Sequence, residues 1–341
     1  MRAVGLFEPS PLSAEQTLAD LEIPAPEPGP RDLKVAVRAV SINPADYFMR
    51  RQFTPTPGKP RVLGYDASGV VEAVGSDISL FKPGDEVFYA GDMTRAGSNA
   101  ELQLVDERIV GPKPKTLSFL EAAAMPLTSI TAWELLFDRL GVGYGSESTP
   151  GVLLIINGAG GVGSMLTQLA RQLTGLTVVA TASRPETIAW CEEMGAHHVI
   201  NHHEPLDEGL RRIGIEQADF IAGLTGSDRQ MSAIVKVIAP QGRFALIDNP
   251  DVLDIAPFKL KCVSVHWEMM FTRSMFHTPD MIQQHRLLTS VAELVDVGVL
   301  RTTLMTKLGP MSAATIAHGH SLAESGRSIG KIVLSGFPVT Q

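Results

Sequence analysis

The chain has 341 residues, of which 44% are hydrophobic and 19% charged, and its formal net charge is −8. This length accommodates two domains with full cores, and the composition is that of a globular protein. The negative charge argues against nucleic acid or an anionic membrane as a partner, because both bind basic surfaces. No apolar run has the length of a signal-peptide core or a membrane span, so we expect a cytoplasmic protein.

Residues 1–126 are predicted to form a β-rich domain. Residues 34–42 alternate polar and apolar side chains, which is typical of a half-buried strand. Two more strands are predicted at residues 70–75 and 85–90, with Gly75, Pro83 and Gly84 marking the turns between them.

From residue 127 the pattern changes. An apolar run at residues 152–156 precedes glycines and then apolar residues at helical spacing, which predicts a buried parallel strand, a tight turn and a helix. Gly158, Gly160 and Gly163 fit the dinucleotide fingerprint G-x-G-x-x-G; the alternative is a plain glycine turn. The residues predicted to hold the nucleotide here are Gly158, Ala159, Gly160, Gly161, Val162 and Gly163.

Strands and helices alternate after the fingerprint, which predicts a doubly wound parallel sheet. The predicted strands are 177–182, 198–200, 219–222, 243–247 and 261–266, and the predicted helices begin at residues 185, 207 and 227. Helices near 278–298 and 312–324 and a strand from residue 331 end the chain. We predict that this end folds back on the first domain, giving domains at 1–126, 127–268 and 269–341, with the nucleotide domain inserted.

The second strand of this sheet ends in Ala182-Ser183-Arg184, without the acidic residue that holds the ribose hydroxyls of NAD. A carboxylate there would repel a 2′-phosphate, whereas Arg184 offers a forked donor to it. The sequence therefore predicts NADPH as the cofactor. The alternative is that Arg184 is a solvated cation before a helix.

Several motifs together resemble the medium-chain dehydrogenase/reductases, in particular their zinc-independent quinone oxidoreductase branch. They are Gly158-Ala-Gly-Gly-Val-Gly163, Ser41-Ile-Asn-Pro-Ala-Asp46, Pro126-Leu-Thr-Ser-Ile-Thr-Ala-Trp133 and Gly330-Lys-Ile-Val-Leu334. The resemblance implies a doubly wound Rossmann domain inserted into a β-rich, GroES-like catalytic domain. It runs from residue 1 to about residue 337.

The chain departs from the zinc alcohol dehydrogenases of this superfamily. Those enzymes have a Cys where this chain has Asn43, and Gly-His-Glu where it has Gly64-Tyr65-Asp66. Catalytic zinc needs three strong protein ligands, and two of the three that those enzymes use are replaced here, by Asn43 and Tyr65. We therefore predict no metal. The histidines near residues 197–203 are an alternative metal site. Adjacent histidines on a strand face opposite ways, however, so their side chains do not converge on one point.

The two cysteines, Cys191 and Cys262, exclude a disulfide framework, while one disulfide bond between them stays formally open.

The resemblance also suggests site residues. It places Asn43, Asp46, Tyr47, Tyr65 and Thr128 near the nicotinamide and Thr131 against it, His202 near the adenosine 2′-phosphate, and Arg327 and Lys331 within reach of the phosphates. Leu224, Thr225 and Ile247 follow predicted strands, where open α/β sheets bind ligands. Tyr65 either donates a hydrogen bond to substrate or only packs, and Asn43 and Asp46 either touch substrate or brace their loop.

The leading functional hypothesis is an NADPH-dependent, zinc-free reductase of quinones or α,β-unsaturated carbonyls. Two alternatives stay open: an alcohol dehydrogenase or aldehyde reductase of the same superfamily, and an NADPH-binding redox sensor or structural protein without turnover. The predicted strand at Lys261 to His266 would end the sheet, and the resemblance suggests that it pairs with its copy in a homodimer.

Overall fold

The computed structural model describes residues 1–9, 17–144 and 150–338. These form two compact units. The first joins Met1–Leu127 to Phe271–Gln341, and the second is Thr128–Met270. The predicted domain boundaries, after residues 126 and 268, fall close to the ends of the second unit.

The strands in chain order are β1 (Arg2–Leu6), β2 (Ala19–Glu22), β3 (Asp32–Ser41), β4 (Arg61–Val62), β5 (Ala67–Val74), β6 (Glu86–Tyr89), β7 (Leu102–Asp106), β8 (Val110–Pro112), β9 (Val152–Ile156), β10 (Thr177–Thr181), β11 (His198–Ile200), β12 (Ala218–Gly223), β13 (Ile238–Leu246), β14 (Ser264–Trp267), β15 (Leu304–Pro310) and β16 (Lys331–Ser335). The α-helices are α1 (Pro44–Gln52), α2 (Phe119–Ala123), α3 (Pro126–Trp133), α4 (Gly161–Leu173), α5 (Pro185–Glu193), α6 (Leu206–Arg212), α7 (Ser227–Val237), α8 (Thr272–Met275), α9 (Gln283–Asp296) and α10 (Ala313–Glu324).

The first unit is β-rich, as predicted. Its larger sheet has the strand order β15-β16-β3-β5-β6-β8, with β7 also paired to β3, and a smaller sheet has the order β2-β1-β4. Strand β3 buries Leu33, Val35 and Val37 on one face, as its alternating sequence predicts. Strand β16 runs antiparallel to β3, with Val333 opposite Ser41, so the end of the chain completes the sheet that the beginning starts.

The second unit is a six-stranded parallel sheet of order β11-β10-β9-β12-β13-β14. This is the order of a doubly wound dinucleotide-binding fold, and the predicted fold class is confirmed. Helix α4 follows β9 and buries Met165, Leu166 and Leu169, the apolar residues whose spacing predicted it.

Three predicted elements have different limits. The strand predicted at 261–266 is β14, which begins only at Ser264, because Ala256–Lys261 is a 3₁₀ helix and Cys262 has a left-handed φ of 52°. The strand predicted at 243–247 begins at Ile238, and the helix predicted at 278–298 is α9, which starts at Gln283. A π-helical turn, Glu134–Arg139, extends α3 and was not predicted.

Two further observations concern the described part of the chain. None of its helices is long and apolar enough to cross a membrane. Cys191 is buried and Cys262 is exposed, and both are free thiols.

Candidate active site

The three fingerprint glycines have different surroundings, and the difference shows what each one does. A Cβ on Gly158 would lie 2.8 Å from the Ala180 side chain, and one on Gly163 would collide with the carbonyl oxygen of Gly158. A Cβ on Gly160 would meet no atom within 4 Å. Gly158 and Gly163 are therefore needed for packing, whereas Gly160 leaves open space at the start of α4, where free N–H groups and the helix dipole favour an anion.

Apart from Thr131 in α3, the other nucleotide residues predicted in this unit follow the carboxyl ends of neighbouring strands, and we call this row the carboxyl edge. Its members are Ser183 and Arg184 after β10, His202 after β11, Leu224 and Thr225 after β12, and Ile247 after β13. Open parallel sheets bind ligands along this edge.

Two residues that sequence reasoning did not select connect the strand ends of the carboxyl edge. Thr181 Oγ1 accepts a hydrogen bond from the Asn157 backbone N–H at 2.9 Å and lies 3.4 Å from His202 Nδ1. The Asn157 side chain donates to the Thr225 carbonyl oxygen at 3.0 Å. Asn157 has a left-handed φ of 64°, a conformation that the local sequence did not reveal.

Arg184 and His202 lie at the two strand ends nearest one side of the sheet. Arg184 is the N-cap residue of α5, and its Nε lies 3.3 Å from Glu186. Burial and the neighbouring His203 lower the pKa of His202, so this ring stays neutral at pH 7 and offers a hydrogen bond rather than a charge.

A second group of polar side chains lies in the first unit, and we call Asn43, Asp46, Asp66 and Lys331 the polar cluster. All four are almost completely buried. Lys331 Nζ donates to the Ile42 carbonyl oxygen at 2.9 Å, to Asp66 Oδ2 at 3.0 Å and to Asn43 Oδ1. Asp66 Oδ1 accepts the backbone N–H of Leu127 at 2.7 Å.

This geometry does not support the phosphate contact predicted for Lys331. For Asn43 it favours bracing of the loop over contact with a substrate. All three Nζ hydrogens of Lys331 are engaged inside the first unit, so this side chain does not reach for a cofactor phosphate. The amide of Asn43 donates to Asp66 at 2.8 Å and faces the Tyr65 and Ser41 carbonyl oxygens at 3.3 Å. Its two hydrogens are thus used in bracing the loop rather than being left for a substrate.

The two candidate tyrosines differ in exposure. Tyr65 is fully buried, with its ring edge-on to Phe271 at 5.5 Å, and burial raises its pKa to about 12. Tyr47 is half-buried on α1, stacked on Phe48 and covered by the Arg51 guanidinium. Burial also raises the pKa of Tyr47, so its phenol keeps its proton at neutral pH.

The remaining predicted residues are placed as follows. Thr128 and Thr131 are buried in α3, one turn apart. Arg327 is exposed just after α10, with its backbone N–H on Ser325 Oγ.

The donor atoms of the polar cluster and of the neighbouring Tyr65 do not fit a zinc ion. Asn43 and Tyr65 stand where the resemblance would require zinc ligands, and Asn43 Oδ1 is already an acceptor for the Lys331 ammonium. Among the described residues no group of three or more His, Cys, Asp or Glu side chains is arranged to hold a metal ion. A catalytic zinc needs three such ligands.

Two family models match the chain, an alcohol dehydrogenase GroES-like domain at residues 29–115 and a zinc-binding dehydrogenase domain at residues 161–288. A zinc-type alcohol dehydrogenase-like protein of Staphylococcus aureus is 40% identical over 98% of this chain and 100% of its own. A 2-methylene-furan-3-one reductase of Solanum lycopersicum is 30% identical over 89% of this chain and 71% of its own, and a quinone oxidoreductase of Rattus norvegicus is 28% identical over 98% and 97%.

Two solved structures are also similar to this chain over nearly its whole length. A protein of Rhizobium etli CFN 42, provisionally described as a zinc-dependent alcohol dehydrogenase, is 54% identical, covers 99% of both chains and superposes with a TM-score of 0.95. A protein described as an NAD-dependent alcohol dehydrogenase is 30% identical over 98% of this chain and 99% of its own, with a TM-score of 0.82. The chain belongs to the medium-chain dehydrogenase/reductase superfamily and is an oxidoreductase of that family.

The polar cluster makes a pH-dependent contribution to stability through Asp46. Burial raises its pKa to about 7, although the Asn43 N–H and Lys331 favour its charged form; Asp66 acts in the opposite direction. Between about pH 4 and pH 7 the folded carboxyl therefore holds a proton that the unfolded chain has lost, so this group's contribution falls as pH rises. The variant Asp46→Asn keeps an acceptor for the Asn43 backbone N–H and has no carboxyl group to titrate. Over that window we expect its free energy of unfolding to rise by up to about 4 kcal/mol relative to that of the unmodified chain. Urea unfolding of both proteins from pH 4.5 to 8 measures this, and parallel stability curves would contradict it.

Proposed function

We propose that this oxidoreductase reduces quinones and α,β-unsaturated carbonyls with NADPH and without zinc. The observation that carries the proposal is that the Lys331 ammonium bonds to Asn43 and Asp66. Asn43 stands at one position where the resemblance would require a zinc ligand, and Asp66 follows Tyr65, which stands at another. A simple alcohol or aldehyde requires strong polarisation of its oxygen, which a Lewis acid supplies. A conjugated acceptor spreads the developing charge over several atoms and requires only a hydrogen bond.

NADPH supplies the hydride when bound. In this chain the open space beside Gly160 and the first turn of α4 would hold the pyrophosphate, with Ser183, Arg184 and His202 near the adenosine 2′-phosphate. Thr131 of α3 would lie against the nicotinamide. The named activities of the tomato and rat relatives support a conjugated acceptor, whereas the 30% identical structure is named for NAD and an alcohol.

The choice of cofactor is tested at Arg184. A charge-assisted hydrogen bond to the 2′-phosphate is worth roughly 1.5–3 kcal/mol, so Arg184→Ala should weaken NADPH binding by about 10- to 100-fold and leave NADH binding unchanged. Arg211→Ala, at an exposed arginine of α6 paired with Asp207, is the matched control and should bind both cofactors normally. Calorimetric titration of each protein with NADPH and NADH gives the constants. Preference of the unmodified chain for NADH would defeat the assignment, and binding of neither would defeat the whole proposal.

Tyr47 is the best hydrogen-bond donor among the predicted catalytic residues. Its phenol is partly accessible and protonated at neutral pH, whereas Tyr65 is sealed in the core and the amide of Asn43 is engaged. We propose that Tyr47 donates to the acceptor oxygen as negative charge develops there. Thr128, buried in α3, is another hydroxyl among the predicted catalytic residues.

A comparison of Tyr47→Phe with Tyr65→Phe tests which of the two tyrosines donates a hydrogen bond to the acceptor. Loss of one preorganised donor should lower kcat by about 10²- to 10³-fold in Tyr47→Phe, with the NADPH dissociation constant unchanged. The buried Tyr65→Phe serves as the control, since it removes a hydroxyl of the same kind and should keep most of the turnover. Steady-state rates with a quinone, an enone and an aldehyde provide the comparison. Full turnover in Tyr47→Phe on every acceptor would remove Tyr47 from the mechanism, and aldehyde turnover matching that of the enone would favour an alcohol dehydrogenase.

We also propose a homodimer formed by β14. Among the strands of the described residues, β14 pairs with β13 alone. The exposed apolar side chains of Leu260, Trp267 and Met269 lie on β14 or close to it in sequence. An open strand edge with apolar neighbours favours pairing with a second copy. Light scattering on the eluting protein should give the mass of two chains. Trp267→Lys should shift that mass toward one chain, whereas Phe276→Lys, at an exposed phenylalanine of the other unit, should not; a monomer at all concentrations would count against the dimer.

A further inference from the structure

Lys331 is the first residue of β16 and the only lysine or arginine in the polar cluster. Its ammonium donates to three acceptors, the Ile42 carbonyl oxygen, Asn43 Oδ1 and Asp66 Oδ2. An ammonium has three hydrogens, so this coordination is complete. Each acceptor in turn fixes a different segment of the first unit.

Ile42 and Asn43 form the connection from β3 to α1. Through its own amide, Asn43 holds the backbone of the 64–66 loop at the Tyr65 carbonyl oxygen, and its backbone N–H donates to Asp46 Oδ2 at 2.7 Å. Asp66 holds the first turn of α3 by accepting the Leu127 N–H. One cation therefore joins four segments that are distant in sequence: residues 41–46, residues 64–66, the start of α3 and β16.

A positive charge at this point is required by the carboxylates. Burial raises the pKa of Asp66 and of Asp46, and Lys331 acts against that rise in both. Without the ammonium, Asp66 would be a buried carboxylate with only neutral donors, a state that proteins avoid by protonation or by local rearrangement. A neutral side chain of the same length could fill the space but could not donate to the three oxygens.

We propose that Lys331 is a positioning residue, a built-in cation that organises the loops of this site in the place of a zinc ion. Its effect on turnover rests on the proposed function; its effects on loop order and on metal binding do not. Lys331 holds Asn43 and Asp66, and through them it fixes the backbone just before Tyr47, at Tyr65 and at Leu127.

The test compares Lys331→Met with Lys113→Met. Lys113 is another buried lysine of the first unit, with Nζ bonded to the Pro114 and Leu117 carbonyl oxygens, outside the polar cluster. Both variants should be less stable. Only Lys331→Met should speed hydrogen exchange of the Leu127 amide and of residues 43–47, by about tenfold or more. Only that variant should lose about 10- to 100-fold in kcat, with the NADPH dissociation constant within about twofold of the unmodified chain.

Two further measurements complete the design. In Lys331→Met/Asp66→Asn the buried charge is also removed, so stability should recover in part while fast exchange and low kcat persist. The untagged, unmodified chain incubated with equimolar zinc and then desalted should retain fewer than about 0.1 zinc per chain by mass spectrometry. Unchanged Leu127 exchange in Lys331→Met, full recovery of kcat in the double variant, or stoichiometric zinc would each overturn the proposal. Absence of turnover in the unmodified chain would instead overturn the proposed function, and exchange and zinc content would still decide the role of Lys331.

Discussion

The first unit depends on one buried ion pair, Lys331 with Asp66, whose atoms lie 3.0 Å apart and whose residues are 265 positions apart in the chain. Two charges taken out of water are expensive unless every donor and acceptor is satisfied. Here all three hydrogens of the ammonium and both oxygens of the carboxylate have partners. Because Lys331 begins β16, pairing of that strand with β3 and neutralisation of Asp66 are achieved together.

This charge arrangement has consequences for the neighbouring groups. One cation faces two buried carboxyls, so Asp66 takes the ion pair and Asp46 is left with a pKa near neutrality. Asn43 is committed on both its oxygen and its nitrogen. In the proposed function the donor to the acceptor oxygen is therefore a hydroxyl, that of Tyr47.

The second unit works on a different principle. Its fingerprint has glycines at the two positions where a Cβ would collide and at a third where the space is open. The uncharged side chains of Asn157 and Thr181 hydrogen-bond neighbouring strand ends to one another. Within the carboxyl edge Arg184 carries the charge, at the strand end where dinucleotide-binding folds that use NAD have a carboxylate.

The sequence by itself determined the parts that follow from local pattern. Apolar periodicity and glycine spacing gave the parallel sheet, α4 and the carboxyl edge, because strand and helix periods differ and the glycine positions carry steric meaning. The motifs also contained every member of the polar cluster. Only the tertiary structure joined Lys331 to Asn43 and Asp66, since a contact across 265 residues leaves no trace in local spacing. It also decided that Tyr65 is sealed and Tyr47 half-exposed, because burial depends on the packing of distant segments such as Phe271.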